Sequence, residues 1–245
     1  MPRQESDDDK AADSETRDFC YTDRMRFIEL SHTIEHGLIT YPGLPAPSIS
    51  DHLSREDSAS RYAPGTTFQI GRIEMVSNTG TYVDVPFHRY ADGQDLTEVG
   101  LDRLAFLEGI LVHVPDGTGA IDARMFKGVA IRNRAILIRT DWSSHFGTPA
   151  YGVGHPYLTS DAATLLIDGE ASLVGIDSLN IDDTTDLARP VHSALLGEGI
   201  PIVEHLTNLS ALPSSGFRFH AVPPRIRGFG SFPIRAFATM EDRQP

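Results

Sequence analysis

A mixed α/β domain with more strand than helix is the architecture this sequence predicts. Two observations carry that reading: short β-branched runs bounded by Gly, Asp or Pro recur along the chain, and only two segments have the pattern and end signals of a good helix. The body shows no internal repeat and no linker that divides it, so residues 25–245 read as one domain behind an acidic tail at 1–24.

The tail carries eight acidic and four basic side chains, among them Asp7-Asp8-Asp9-Lys10, and hardly any bulky apolar group. That composition predicts disorder. The first core-like pattern, Arg26-Phe27-Ile28-Glu29-Leu30, follows Met25 directly, which makes Met25 an alternative start to Met1. Strands are expected at 67–75, 110–114, 135–139, 173–176 and 201–203. Helices are expected over 160–168, where Thr159 or Ser160 can accept from the free N–H groups of the first turn, and over 187–196, ended by Gly197. Residues 117–119 and 143–154 read as loops. Trp142 opens the second and His155-Pro156-Tyr157 closes it, a content that suits either a functional loop or one packed by its own aromatics.

At 245 residues and 40% apolar content the chain can bury a core without disulfide support. Cys20 is the only cysteine, so no internal bridge exists and a reducing cytoplasm is expected. No apolar run approaches the roughly 20 residues that span a bilayer, and the charged N-terminus does not read as a signal peptide. A net charge of -13, without clustered Lys and Arg, argues against nucleic acid as a partner. A small molecule is the expected one.

Chemistry concentrates in Ser77-Asn78-Thr79-Gly80-Thr81-Tyr82-Val83-Asp84-Val85-Pro86-Phe87-His88. If this segment runs extended, Tyr82, Asp84, Pro86 and His88 share one face. Pro86 keeps Val85 extended, and Gly80 allows a positive φ. Asp84 is a hard oxygen donor for Zn²⁺ or Mn²⁺, and His88 can ligate a metal or move a proton near neutral pH.

The segment closely resembles the HxGTHxDxPxH signature of the kynurenine formamidase and cyclase family of metal-dependent hydrolases, with Asn78 and Tyr82 where the signature has histidines. The resemblance covers nearly all of 26–240. Leu30-Ser31-His32 and Tyr41-Pro42-Gly43-Leu44-Pro45 are similar to the family's opening strand and pocket-bordering loop. Val174-Gly175-Ile176-Asp177-Ser178 resembles the strand before its second metal-binding element, and His192 and Glu204 resemble that element itself. Pro224-Arg225-Ile226-Arg227-Gly228 and Pro233-Ile234-Arg235-Ala236 look like its closing strands.

The resemblance implies an α/β fold of the swivelling β/β/α type, with two sheet layers and a helical layer, assembled as a homodimer or larger homo-oligomer. It implies that Asp84, His192 and Glu204 hold one divalent ion, Zn or Mn, with a position left open for water. It also implies that His88 acts as general acid or base. An amide or a phenol is a poorer Zn²⁺ ligand than imidazole, so a second ion is not expected; Asn78, Tyr82 and Tyr41 are instead assigned to the substrate, with the phenol as an oxyanion donor. His32 and His36 are candidate replacement ligands.

The implied reaction is hydrolysis of an amide-type C–N bond in an aryl formamide or cyclic amide. A cyclase or lactonase of secondary metabolism, and a catalytically silent binding relative, stay open beside it. Tyr41, Phe68, Tyr82, Phe87, Trp142 and Tyr157 suit a flat aromatic or cyclic substrate. Without the resemblance, His192 reads as a packed helix residue, Glu204 with His205 as a surface pair, and Asp177, Asp182 and Asp183 as solvated turns.

Overall fold

A computed structural model describes residues 25–241. The expected acidic tail, Cys20 and the question of the start site fall outside the described residues or are not addressed by them. Thirteen strands occur among the described residues: β1 (Met25–Glu29), β2 (Ser48–Leu53), β3 (Ile70–Glu74), β4 (Tyr82–Asp84), β5 (Leu107–His113), β6 (Ala120–Ile121), β7 (Arg134–Arg139), β8 (Tyr157–Leu158), β9 (Leu173–Ile176), β10 (Ile202–Glu204), β11 (Ser215–His220), β12 (Ser231–Pro233) and β13 (Phe237–Glu241). The α-helices are α1 (Arg55–Ser58), α2 (Ser160–Asp168) and α3 (Pro190–Gly197).

Nine strands form one mixed sheet in the order β1-β13-β11-β5-β7-β9-β10-β4-β12. The centre, β5-β7-β9-β10, is parallel, and the flanks are antiparallel. Parallel neighbours need crossovers, and α2 and α3 supply them between β7, β9 and β10.

The central strands are buried on both faces and read as continuous apolar runs. Ile136, Ile138, Val174, Ile176 and Ile202 pack with Leu166 of α2 and Leu195 of α3. Their alternates Leu137, Leu173 and Val203 enter a second cluster. That second cluster also contains Ile28 of β1 and Val83 of β4, strands near opposite ends of the order. The sheet therefore folds over on itself into two layers with the helices outside one of them. Leu30 ties the layers, donating to Ala236 O at 2.9 Å and accepting from Thr207 N at 3.0 Å.

Four expected strands occur with shifts of at most a few residues, and α2 has the expected bounds. The strand expected at 67–75 is shorter and stands apart, pairing only with β2 in a hairpin. The helix expected from Leu187 starts three residues later, because Arg189 sits at φ 48° and Pro190, which has no N–H to leave unpaired, opens α3. No helix among the described residues is long and apolar enough to cross a membrane.

Candidate metal centre

Strand register assembles one face of the site. In β4, Tyr82 lies opposite Glu204 of β10, and Asp84 lies opposite Ser231 of β12. Directly opposed residues point to the same side, and residues two apart on a strand share that side. Tyr82, Asp84, Glu204 and Ser231 therefore converge, while Val83 and Val203 turn into the core. The extended run ends sooner than the alternation argument expects: Pro86–His88 is a 3₁₀ turn, and His88 reaches the site from that turn. Gly230 is needed there, since a Cβ on it would collide with the His88 backbone.

His192 arrives from the first turn of α3, and Asp182 aims it. One Asp182 oxygen accepts Val191 N–H at 2.7 Å; the other accepts His192 N–H at 3.0 Å and sits 2.7 Å from His192 Nδ1. Asp182 thus caps a helix whose own N-cap residue, Arg189, makes no side-chain cap bond. With Nδ1–H donated to Asp182, Nε2 is left to face Asp84 Oδ2 and Glu204 Oε1, each 3.6 Å away.

Three buried carboxylates, Asp84, Asp182 and Glu204, surround one imidazole. Burial lowers the His192 pKa, but Glu204, Asp182 and Asp84 raise it more, and it is pushed up to about 10. Glu204 is pushed up to about 7 by burial, with His192 opposing and Asp84 assisting. Asp84 goes down: burial raises it, but His88, His192 and Ser231 together outweigh that.

These residues fit a cation. Asp84 Oδ2 is buried without a hydrogen-bond partner, an expensive condition for a carboxylate oxygen unless a positive centre faces it. Tetrahedral ligands about 2.1 Å from an ion lie about 3.4 Å from one another, close to the observed 3.6 Å spacings. Ligand atoms of Asp84, His88 and His192 also lie within 4.8 Å of one another. Ser231 Oγ donates to Asp84 Oδ1 and sits 2.8 Å from His88 Nδ1. A hydroxyl has one proton to give, so His88 Nδ1 is the donor in that contact, and in the neutral ring Nε2 carries the lone pair.

Tyr82 is buried and donates to Glu204 Oε2 at 2.6 Å. Burial, then the charges of Glu204 and Asp84, raise its pKa well above the usual range, so it stays a phenol. His205 Nε2 lies 3.2 Å from the same hydroxyl, and Tyr151 O–H reaches His205 Nδ1 at 2.8 Å. Burial lowers the His205 pKa to about 3, so the neutral ring accepts a hydrogen bond from Tyr151 on one side and donates one to Tyr82 on the other. Every bond in this chain points toward Glu204. The surface-pair reading of Glu204 and His205 is corrected, because both are fully buried.

Asn78 accepts from Ser77 Oγ at 3.0 Å. Tyr41 is half-buried in a turn where its carbonyl accepts Leu44 N–H at 3.1 Å. His36 Nδ1 accepts from Ile49 N–H at 3.1 Å, and His32 stacks on Phe146 with ring centroids 3.6 Å apart; neither belongs to the donor cluster. Asp177 is buried too, accepting from Thr140 and Asp141.

A small cavity of about 140 Å³ adjoins the cluster, lined by His88, Arg89, Asn180, Arg189 and His192. A larger one of about 330 Å³ lies beyond the C-terminal ends of β5 and β7 and includes Asp116, Asp141, Trp142 and His145. Of the aromatics expected around a flat substrate, only Trp142 lines either cavity.

A family model described as "Putative cyclase" matches residues 28–183, more than half of the chain. The chain belongs to the cyclase family. Kynurenine formamidase from Bacillus cereus is 26% identical over 211 residues, 86% of this chain and 95% of that protein. The Bacillus cytotoxicus kynurenine formamidase is 25% identical with the same coverage. Among solved structures, an isatin hydrolase bound to the product analogue thioisatinate gives a TM-score of 0.76 at 20% identity, covering 91% of this chain and 95% of that one. Isatin hydrolase A from Labrenzia aggregata, bound to benzyl benzoate, gives 0.74 at 20% identity, with 89% and 94% covered. These likenesses place the cyclase-family fold of this chain, the strand-rich α/β sandwich described above.

Sequence reasoning left Asp182 among solvated turns and did not single out Ser231, Tyr151 or Asn180. The available signal for Asp182 was a helix opened by Pro190 without a Ser, Thr, Asp or Asn before it, which must borrow an acceptor from elsewhere.

Proposed function

We propose that this chain is a metal-dependent hydrolase of amide-type C–N bonds in small aromatic or cyclic substrates, an aryl formamide or a cyclic amide. The observation that carries the reading is the unpartnered, buried Asp84 Oδ2 facing His192 Nε2 at 3.6 Å. Asp84, His192 and Glu204 would hold one divalent ion, Zn or Mn. When bound, it supplies Lewis acidity that acidifies water and polarises a carbonyl.

The chain's own residues handle the proton. His88 Nε2 accepts it from the attacking water while Nδ1–H donates to Ser231, which in turn donates to Asp84; this relay stabilises the imidazolium. His88 then returns the proton to the leaving nitrogen, a step that suits imidazole near neutral pH. The Tyr151–His205–Tyr82 chain keeps Glu204 Oε2 occupied and directs Oε1, which also accepts Ile181 N–H at 2.7 Å, toward His192. Kinship to the kynurenine formamidases supports this choice of bond over ring closure.

Elemental mass spectrometry of protein expressed with Zn²⁺ and Mn²⁺, together with an assay on formanilide, tests the reading. About one ion per chain and metal-dependent release of aniline are expected; a chain that binds no divalent ion and leaves aryl formamides and cyclic imides intact would be a silent relative. Asp182→Asn should weaken metal affinity about 10–100-fold, the usual effect of removing the partner that orients a ligating histidine. Competition against a chelator reads that change directly.

The proposal includes a cytoplasmic setting, suited to a chain with one cysteine, and a homo-oligomer. An isolated two-stranded hairpin is barely stable in water. In the β2–β3 hairpin Ile49 and Ile73 are direct cross-strand partners, 41% and 50% exposed, and a second copy covering them is the natural remedy. Light scattering should give a dimer or larger assembly, shifted toward monomer by Ile73→Lys.

A further inference from the structure

Every residue lining the small cavity beside the cluster carries an N–H donor, and none carries a carboxylate. In a chain with 34 acidic and 21 basic side chains, that local composition is unusual. Arg89 is held over the ring of Tyr90, and its Nε donates to Ser193 Oγ at 3.1 Å. Arg189 donates from Nη1 to the Asp183 carbonyl at 2.9 Å. Among the described residues neither has a carboxylate within 4 Å, a condition they share with Arg26, Arg55, Arg61, Arg103, Arg218, Arg225 and Arg227, but these two alone line the cavity. Asn180 is buried and spends its side-chain oxygen on Asp182 N–H at 3.0 Å, so its amide N–H₂ remains to donate.

Two guanidiniums anchored by neutral partners keep their remaining N–H groups and their full charge for a ligand. Guanidinium pairs most strongly with planar carboxylates, through parallel N–H···O bonds. A volume of about 140 Å³ suits a head group of that size and falls short of a whole drug-sized ligand. His88 and His192 form the remaining wall, so an anion seated there lies beside the bond to be cut.

We propose that Arg89, Arg189 and the Asn180 amide bind a carboxylate carried by the substrate close to its scissile amide, and so select anionic over neutral aryl amides. This rests on the amide-hydrolase reading and adds the substrate class to it. The two arginines are specificity-determining residues, outside the proton-transfer and metal-holding set.

The test compares 2-formamidobenzoate with formanilide, its neutral counterpart, on the full chain loaded with Mn²⁺ or Zn²⁺. Wild type should favour the carboxylate in kcat/KM by about 10–100-fold, the worth of one or two charge-assisted hydrogen bonds. Arg89→Ala and Arg189→Ala should each reduce that preference, chiefly through KM. If the wild-type chain hydrolyses both substrates and the ratio is unchanged in the variants, the carboxylate site is overturned while the hydrolase reading stands.

If neither substrate is hydrolysed, the aryl-formamide half of the hydrolase reading fails, and calorimetric titration with 2-aminobenzoate decides the site by itself. Binding weakened about tenfold or more in Arg189→Ala supports the site; equal binding, or none to wild type, removes it. Should Arg189→Ala not fold, Arg89→Gln at the exposed position makes the same comparison.

Discussion

Asp84→Asn should erase the thermal stabilisation that Zn²⁺ or Mn²⁺ gives this chain, together with its hydrolysis of aryl formamides. In the metal-free chain Asp84 is a fully buried carboxylate with one oxygen unpartnered, beside two further buried carboxylates. Replacing it by a neutral amide removes one of the charges that lift the His192 pKa, while Asn Oδ1 can still accept from Ser231. Toward an ion, the same change removes the charge and turns an N–H₂ toward His192 Nε2.

At a metal concentration about 100 times Kd, binding stabilises the folded state by about 2.7 kcal/mol. For a chain of this size that is roughly 5–10 °C in melting temperature. Differential scanning fluorimetry with and without metal measures the shift. A variant that keeps its metal-induced shift would place the ion elsewhere.

His88→Ala should lower kcat about 10²–10⁴-fold, the usual contribution of a positioned general acid–base, while metal content stays near wild type. Ser231 sets the orientation: its single proton goes to Asp84, so His88 Nδ1 donates to it and Nε2 is the nitrogen left at the cavity wall. Metal content separates proton transfer from ligation. If the variant loses its ion together with its activity, His88 belongs to the donor set that its position beside Asp84 and His192 also permits. Ser231→Ala offers a milder control, because it removes the Nδ1 acceptor and leaves Nε2 in place.

The strands of the parallel centre were legible in the sequence, though not their direction, because strands buried on both faces become nearly continuous apolar runs, as at 135–138 and 173–176. The hairpin was harder: β3 is exposed throughout and pairs only with β2, so its apolar residues look like core in one dimension while packing against none of it. The late start of α3 was illegible for a local reason. Leu187 and Ala188 favour helix, but the positive φ of Arg189 breaks it, and that conformation is set by the Asp183 carbonyl and the capping carboxylate of Asp182.

The sequence by itself determined a strand-rich α/β domain and the turn carrying Asp84 and His88, because residue types and short-range spacing carry that information, while the distant His192 and Glu204 came only from the family resemblance. Tertiary structure alone decided how they combine. Antiparallel register set Tyr82 against Glu204 and Asp84 against Ser231, and a contact across ten residues let Asp182 fix the His192 tautomer. It also closed a cavity in which Arg89 and Arg189, one hundred positions apart, face the same space. The physical reason is that hydrogen-bond direction and charge proximity depend on which strands become neighbours, and strand order in this sheet departs widely from chain order.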